Sequence, residues 1–272
     1  MCYCISKKVP DLSDPAITFS KAITRRPSAC VTHGLRSEDT GDPDFSQLER
    51  DYHAYVDTLK AADANVVELS ALDDLPDSVF VEDTALCLPE CAILMRPGAK
   101  SRRPEVAQIA DGIRDIFRTV FEISGPGFIE GGDILYTGRE ILAGTSERTN
   151  HAGIAELAGF VEPRGYPVRI VETPPGVLHF KTDCSLIDTE TILSTQRLAA
   201  SGCFANYTVL VVPEGEEAAA NMIRFNDSLI MSSGFPKTAE MLLTAGFNLV
   251  QLNNSECAKI DGGMSCLSLR IS

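Results

Sequence analysis

One grammar recurs along the chain, and it limits the fold more than any composition does: strand, tight turn, second strand, helical segment, third strand. "ILYTGREILAG" (134–144) is followed by "RTNHAGIAELAGFVE", which has helical periodicity, and then by "YPVRIVE". The order returns in "SLIDTETILST", "QRLAASGCF" and "YTVLVVP". It returns again in "MIRFNDSLIMSS", "KTAEMLLTAG" with Gly246 as a helix stop, and "FNLVQLN". An earlier copy starts at "TALCLPECAILMRP". It continues into a helix predicted from Pro104 to Phe117, with apolar Val106, Ile109, Ile113, Ile116 and Phe117, and ends in "TVFEIS". A fifth copy is split. The helix "FSQLERDYHAYVDTLKAADA" and the strand "NVVELS" lack a hairpin unless "SACVTH" near the start pairs with "CLSLRI" at the finish. Closing a ring with the two termini would remove the exposed sheet edges of an open array. The alternative, a doubly wound α/β sheet, predicts single strands between helices and commonly a glycine-rich phosphate fingerprint; here hairpins recur and no such fingerprint is present.

A chain of 272 residues with 44% apolar content can bury a full core. The expected division is an N-terminal extension over 1–25 and one catalytic domain over 26–272. A formal charge of −14 argues against nucleic acid or anionic lipid as partners, because both need clustered Lys and Arg, and leaves a small cationic ligand as the better fit. The start, "MCYCISKKVPDLSDP", has no signal-peptide run, and no stretch reaches a membrane-spanning length, so a cytoplasmic protein is expected. Nine cysteines, an odd number, are then expected to be mostly reduced thiols. The histidines (His33, His53, His151, His179) are scattered and the close Cys pairs are Cys2/Cys4 and Cys87/Cys91, which does not match zinc-site spacing; no metal is expected.

The segments just before each hairpin are unusually polar: "PDSVFVED" (76–83), "GFIEGGD" (127–133), "VLHFKTDC" (177–184), "EEAAAN" (216–221) and "KIDGGMSC" (259–266). In a ring all five converge on the axis, bringing Asp77, Glu82, Asp83, Glu130, Asp133, His179, Asn221 and Cys266 to one end of a central cavity. Taken singly, a cysteine in "SCLSLRI" is more often a small buried hydrophobe, a lone histidine a satisfied core group, and a glycine pair a turn or bulge. Their joint occurrence at one structural position points elsewhere. Carboxylates suit a guanidinium, whose planar fork pairs bidentately with their oxygens; a thiolate can attack its central carbon, and an imidazole can protonate the departing amine and later activate water.

"PDSVFVED", "RPGAKSRRPE", "EGGDILYTGRE", "TSERTN", "LHFKT" and "DGGMSCLS" together resemble the ordered motifs of the dimethylarginine dimethylaminohydrolases, from about Ser28 to Arg270. The resemblance implies a five-bladed α/β propeller of ββαβ units with pseudo-fivefold symmetry, as in the guanidino-group modifying (pentein) superfamily. It implies hydrolysis of Nω,Nω-dimethyl-L-arginine or Nω-monomethyl-L-arginine to L-citrulline through a covalent Cys-thiouronium intermediate, without a cofactor. By motif position it makes Cys266 the nucleophile, His179 the general acid/base and Glu130 the acid that holds the histidine. Asp77, Glu82 and Asp83 become guanidinium-facing acids, and Arg96 and Arg148 hold the substrate carboxylate. The carbonyls of Leu35, on a mobile lid "HGLRSEDTGDPD", and of Ile260 read the α-amino group. Apolar Phe80 would favour methyl groups. The partner is a small methylated arginine, with a homodimer as one assembly to consider. Competing readings are an arginine deiminase or amidinotransferase, and a non-catalytic guanidine-binding or redox-sensing protein.

Overall fold

The computed structural model describes residues 14–272 and contains fifteen strands in five three-stranded sheets. The chain runs β1 (Lys21–Arg25), α1 (Phe45–Ala61), β2 (Asn65–Leu69), β3 (Ala85–Cys87), β4 (Ala92–Leu94), α2 (Arg103–Ile116) and β5 (Val120–Glu122). It continues with β6 (Ile134–Tyr136), β7 (Ile141–Thr145), α3 (His151–Val161), β8 (Val168–Glu172), β9 (Cys184–Asp188), β10 (Thr191–Ser194), the single turn α4 (Gln196–Ala199) and β11 (Thr208–Val211). The last stretch is β12 (Ile223–Phe225), β13 (Ser228–Ser232), α5 (Pro236–Thr244), β14 (Asn248–Leu252), the single turn α6 (Ser255–Ala258) and β15 (Leu269–Ile271). In each sheet the middle strand pairs antiparallel with one neighbour and parallel with the other. The parallel partner is reached through a crossover carrying a helix, as a parallel pair requires.

Local chemistry starts the helices. The Asp44 carboxylate accepts from Gln47 N at 2.8 Å at the head of α1, and Asn150 Oδ1 accepts from Gly153 N at 2.9 Å at the head of α3. Proline occupies the first turn of α2 and of α5. Helix α1 buries Leu48, Tyr52, Tyr55, Val56 and Leu59, a spacing of three and four that makes one apolar stripe.

Two sequence expectations need correction. "SACVTH" is no strand: Ser28 Oγ accepts from Cys30 N at 3.2 Å and caps a 3-10 turn over Ala29–His33. The strand that pairs with the C-terminus is β1, with Lys21 opposite Ile271 and Ile23 opposite Leu269. The first sheet thus begins at Lys21, inside the stretch expected to be an extension. The segment before it is docked too, since Ile17 is fully buried and Phe19 N donates to Asn226 Oδ1 at 2.8 Å. Cys2 and Cys4 lie outside the described residues.

The core is divided into five clusters, each shared by two consecutive sheets. Neighbouring residues on one strand go to different clusters. Ile134 packs with Ile93 and Ile154, whereas Leu135 packs with Leu186 and Leu198. Leu193 joins Leu229 and Leu242, and Ile230 joins Phe225, Tyr55 and Ala22. Ile23 joins Leu94, Ile113 and Leu269. The middle strands and most of their antiparallel partners are therefore buried on both faces, which explains their nearly continuous apolar sequences, while the parallel outer strands β2, β5, β8, β11 and β14 stay half-exposed. The fifth sheet shares a cluster with the first through Phe225, Ile230 and Ala22. No helix among the described residues is long and apolar enough to cross a membrane.

Candidate active site

A 3-10 turn stands before the first strand of each hairpin: Val81–Thr84, Gly131–Asp133, Phe180–Thr182, Glu217–Ala220 and Ser265–Leu267. These are the polar segments singled out in the sequence, and side chains tie most of them to their neighbours. Gly132 N donates to Asp83 Oδ1 at 2.8 Å, Phe180 N to Asp133 Oδ1 at 2.7 Å, Ser265 N to Asn221 Oδ1 at 3.0 Å, and Ser265 Oγ to Glu82 Oε2 at 2.7 Å. Asp133 is used up in this way, also accepting from Ser146 Oγ at 2.7 Å. Asn221 spends its amide oxygen on Ser265 N and lines a separate hollow with Gly262 and Gly263, away from Cys266.

The two glycine pairs exist because the turns approach so closely. A Cβ on Gly131 would lie 2.0 Å from the Glu82 carbonyl oxygen, and one on Gly132 2.8 Å from the His179 ring. A Cβ on Gly262 would lie 2.4 Å from the Phe80 ring, and one on Gly263 2.3 Å from the Asn221 amide.

One narrow cavity of about 30 Å³ is lined by Leu35, Asp77, Phe80, Asp83, Arg148, His179, Ile260 and Cys266, all expected from the sequence, together with Arg102, Leu178 and Asp261. His179 Nε2 lies 2.7 Å from Glu130 Oε2 and 4.0 Å from Asp83 Oδ1. Burial opposes the charged imidazole, yet Asp83, the Glu130 hydrogen bond and Asp133 outweigh it and lift its pKa to about 9. Glu130 is fully buried, its Oε1 accepting from Ala99 N at 3.1 Å and standing 3.7 Å from Arg148 Nη1. Burial works against the Asp83 carboxylate as well, but His179 and an ion pair with Arg102 hold its pKa below the usual range. Asp77 is raised by burial against the pull of Arg102, and its Oδ1 accepts from Leu35 N at 2.9 Å.

Cys266 is half-buried, and Gly263 N donates to its Sγ at 3.4 Å. Burial first, then the nearby Glu82 and Asp83 charges, push its thiol up to about 12, against the smaller opposing effects of Gly263 and Lys181. The resting thiol is therefore neutral at physiological pH. A cation placed in the cavity would reverse much of that electrostatic cost.

Of the residues expected here, Asp133 and Asn221 serve the turns, Glu130 stands behind His179, and Glu82 and Arg96 are directed elsewhere. Glu82 is turned the other way: its Oε1 lies 2.6 Å from both Lys181 Nζ and Arg270 Nη2, and its Oε2 takes the Ser265 hydroxyl. Its partners hold it on the far side of the turn, away from the cavity that Asp83 lines. Arg96 donates from Nη1 to the Gly127 carbonyl at 2.8 Å and to the Pro126 carbonyl at 3.4 Å, holding a surface loop.

Arg102 lines the cavity instead, and sequence reasoning passed over it. It is buried, ion-paired with Asp83 and with Glu105 at 2.8 Å, and donates to the Phe80 carbonyl at 2.8 Å and the Asp77 carbonyl at 3.2 Å. One signal was available: Arg102 and Glu105 are spaced i, i+3 at a helix start in "SRRPE". Asp83, Glu130 and His179 each offer one ligand atom within 4.8 Å of the others, the one such group found among the described residues. Those atoms already serve as partners of one another and of Arg102, which fits acid–base work.

A family model described as arginine deiminase matches residues 53–208. The N(G),N(G)-dimethylarginine dimethylaminohydrolase of Pseudomonas aeruginosa is 35% identical over 253 residues, covering 93% of this chain and 99% of the relative. The protein of the same name from Streptomyces coelicolor is 34% identical, covering 92% and 96%. The solved structure of the Pseudomonas aeruginosa protein, a cysteine-to-serine variant complexed with citrulline, matches with a TM-score of 0.91 at 35% identity, over 93% of this chain and 99% of that one.

Proposed function

Because the chain belongs to the arginine deiminase family and, within it, to the dimethylarginine dimethylaminohydrolases, we propose that it hydrolyses Nω,Nω-dimethyl-L-arginine and Nω-monomethyl-L-arginine to L-citrulline plus dimethylamine or methylamine. The observation that carries the reading is the meeting of Cys266, His179 and Asp83 in one cavity of a family member. The five shared core clusters and the linked turns support the finer architecture, a closed propeller of five ββαβ blades running as one catalytic domain from Lys21. We place the protein in the cytoplasm on its seven free described cysteines.

The proposed roles follow from charge and position. Asp83 and Asp77 take the guanidinium, and its positive charge favours the Cys266 thiolate that the empty cavity disfavours. Sulfur attacks the guanidino carbon. As the C–N bond to the methylated nitrogen breaks, His179 gives its proton to the departing amine and recovers one from the thiol, so the thiol proton ends on the amine and a cationic thiouronium stays on Cys266. His179, charged again, first releases its proton to solvent and then deprotonates the water that attacks the same carbon. The C–S bond breaks, the proton on the added hydroxyl passes to sulfur, and citrulline leaves with the thiol and the charged His179 restored.

Glu130 orients His179 and stabilises its cation across 2.7 Å. Arg148, whose side chain is 19% exposed, is the freer cation for the substrate carboxylate, since Arg102 spends most of its donors inside the protein. The Leu35 and Ile260 carbonyls are the proposed amino-group acceptors, and Phe80 the apolar neighbour of the methyl groups. A cavity of about 30 Å³ has room for roughly two waters, so the Leu35 loop must swing open to admit an arginine.

The test is product analysis. Asymmetric dimethylarginine should yield citrulline and dimethylamine, and Cys266→Ser should lower turnover by at least about four orders of magnitude while retaining binding. Ammonia from plain arginine at a comparable rate would instead favour the deiminase reading suggested by the family model. Citrulline formation by the serine variant at the native rate would remove Cys266 from the mechanism.

A further inference from the structure

Behind the reactive cavity lies a second one of about 100 Å³ that the proposed reaction does not use. Its charged lining is Glu82, Lys181, Arg224 and Arg270, three cations against one carboxylate, in a chain whose formal charge is −14. Lys181 and Arg270 both pair with Glu82 at 2.6 Å. Arg224 is buried and makes no ion pair among the described residues: its Nε donates to the Asn226 carbonyl and its Nη1 to the Ile187 carbonyl at 3.2 Å. Ser185, 5% exposed, is on the same wall, and its buried Oγ has no hydrogen-bond partner among the described residues. Pro15, Ala16 and Phe19 of the docked N-terminal segment add an apolar side that weakens solvent screening.

Asp188 and Asp227 act on the Arg224 guanidinium without an ion-pair contact, so on one small cavity a buried cation lacks a paired charge and a buried hydroxyl lacks an acceptor. A small negative charge satisfies both at once. We propose that this rear chamber is a binding site for a small monovalent anion of the halide class, held by Arg224 and the Ser185 hydroxyl with Lys181 and Arg270 on its far side. The chamber adjoins the reactive cavity. Ser265 lines the chamber and Cys266 the cavity; Lys181 lines one and His179 the other. An anion there offsets the positive field of Lys181 and Arg270 at Cys266, so occupancy lowers the thiolate fraction and slows the thiol.

Bromide is the probe, titrated at constant ionic strength against gluconate, which is too bulky to enter. Crystals of the full chain soaked in bromide should show anomalous scattering between Arg224 and Ser185. In solution the thermal midpoint should rise saturably with bromide, and alkylation of Cys266 by N-ethylmaleimide should slow by about threefold or more, also saturably. Arg224→Gln should abolish both responses. Should that variant fail to fold, Ser185→Asp places a carboxylate in the chamber itself. It should fold as stably as the native chain and no longer respond to bromide, whereas a chamber holding only water should be destabilised by the extra buried acid. Identical curves in bromide and gluconate, no bromide in the chamber, or an unstable Ser185→Asp protein that still responds would each overturn the proposal.

Discussion

The two cavities on either side of the linked 3-10 turns are built from adjacent residues of the same turns, yet they are left in opposite states. On the rear side Glu82, Lys181, Arg270 and the Ser265 hydroxyl form a closed group in which both oxygens of the acid are engaged. On the front side Asp83, His179 and Cys266 stand one or two residues away and line the open cavity, with an imidazole held charged by its acidic neighbours and a thiol held neutral by burial and then by the Glu82 and Asp83 charges. Each 3-10 turn is too short to present more than one residue to each end, so the step from Glu82 to Asp83 or from Ser265 to Cys266 changes a side chain's task completely. A motif such as "VED" carries the chemistry of both ends, and only the backbone decides which acid meets the substrate.

Adjacent glycines allow the two ends to be broken separately, with the largest effect expected at the rear. Gly131→Ala would drive a Cβ to 2.0 Å from the Glu82 carbonyl, against backbone that cannot yield, and should cost about 3 kcal/mol or more of stability, seen as a large fall in thermal midpoint. Gly132→Ala meets the His179 ring at 2.8 Å, a side chain that can move. It should lower kcat by about a hundredfold with a smaller loss of stability, because a displaced general acid no longer reaches the leaving amine. If both variants lose stability equally and the surviving protein has native kcat, the front and rear are not distinct units.

The front can be sharpened next through its pH dependence. His179 moves from an ordinary 6.5 to about 9 in the folded protein, so the stability it contributes is fully present below about pH 6.5 and is lost as pH rises through 9. Glu130→Gln removes a hydrogen-bonding carboxylate that favours the cation. The native protein should therefore lose more thermal stability than the variant between pH 6 and pH 9.5. The alkaline limb of its pH–rate profile should lie above the variant's by about one unit, with kcat/KM lowered about a hundredfold in the variant. An unchanged alkaline limb would mean that Glu130 does not set the state of His179.

Much of this was legible in the sequence. The hairpin–helix–strand repeat is recorded in alternating turns and apolar runs, because strands buried on both faces cannot hide their composition. The five polar entrances were legible for the same reason, standing at one fixed position in each unit. What failed was direction and partner choice. "SACVTH" reads as a strand until Ser28 caps a turn, while "KAITR", only five residues long, gives a weak signal next to a proline-rich end. Glu82 and Asp83 are indistinguishable as letters, and their separation depends on Lys181, distant in sequence, and Arg270, near the C-terminus. In "RPGAKSRRPE" three arginines compete, and the site takes the one whose i, i+3 carboxylate fixes it at the head of α2.

That last choice yields the smallest expected effect. Arg96 holds the carbonyls of Gly127 and Pro126 and lines a separate surface hollow with Arg103 and Arg114, whereas Arg148 opens into the reactive cavity beside Glu130. Arg148→Ala should raise KM for dimethylarginine by about tenfold or more, the cost of losing a charge-assisted contact to the substrate carboxylate. Arg96→Ala loses two hydrogen bonds at a partly exposed loop, about 1 kcal/mol of stability in all, and should change KM by less than about twofold. Steady-state kinetics on the two variants decide between them. A tenfold rise in KM for Arg96→Ala with Arg148→Ala near native would return the carboxylate to the arginine that the motif alone suggested, and would require the loop at Gly127 to close over the cavity when substrate binds.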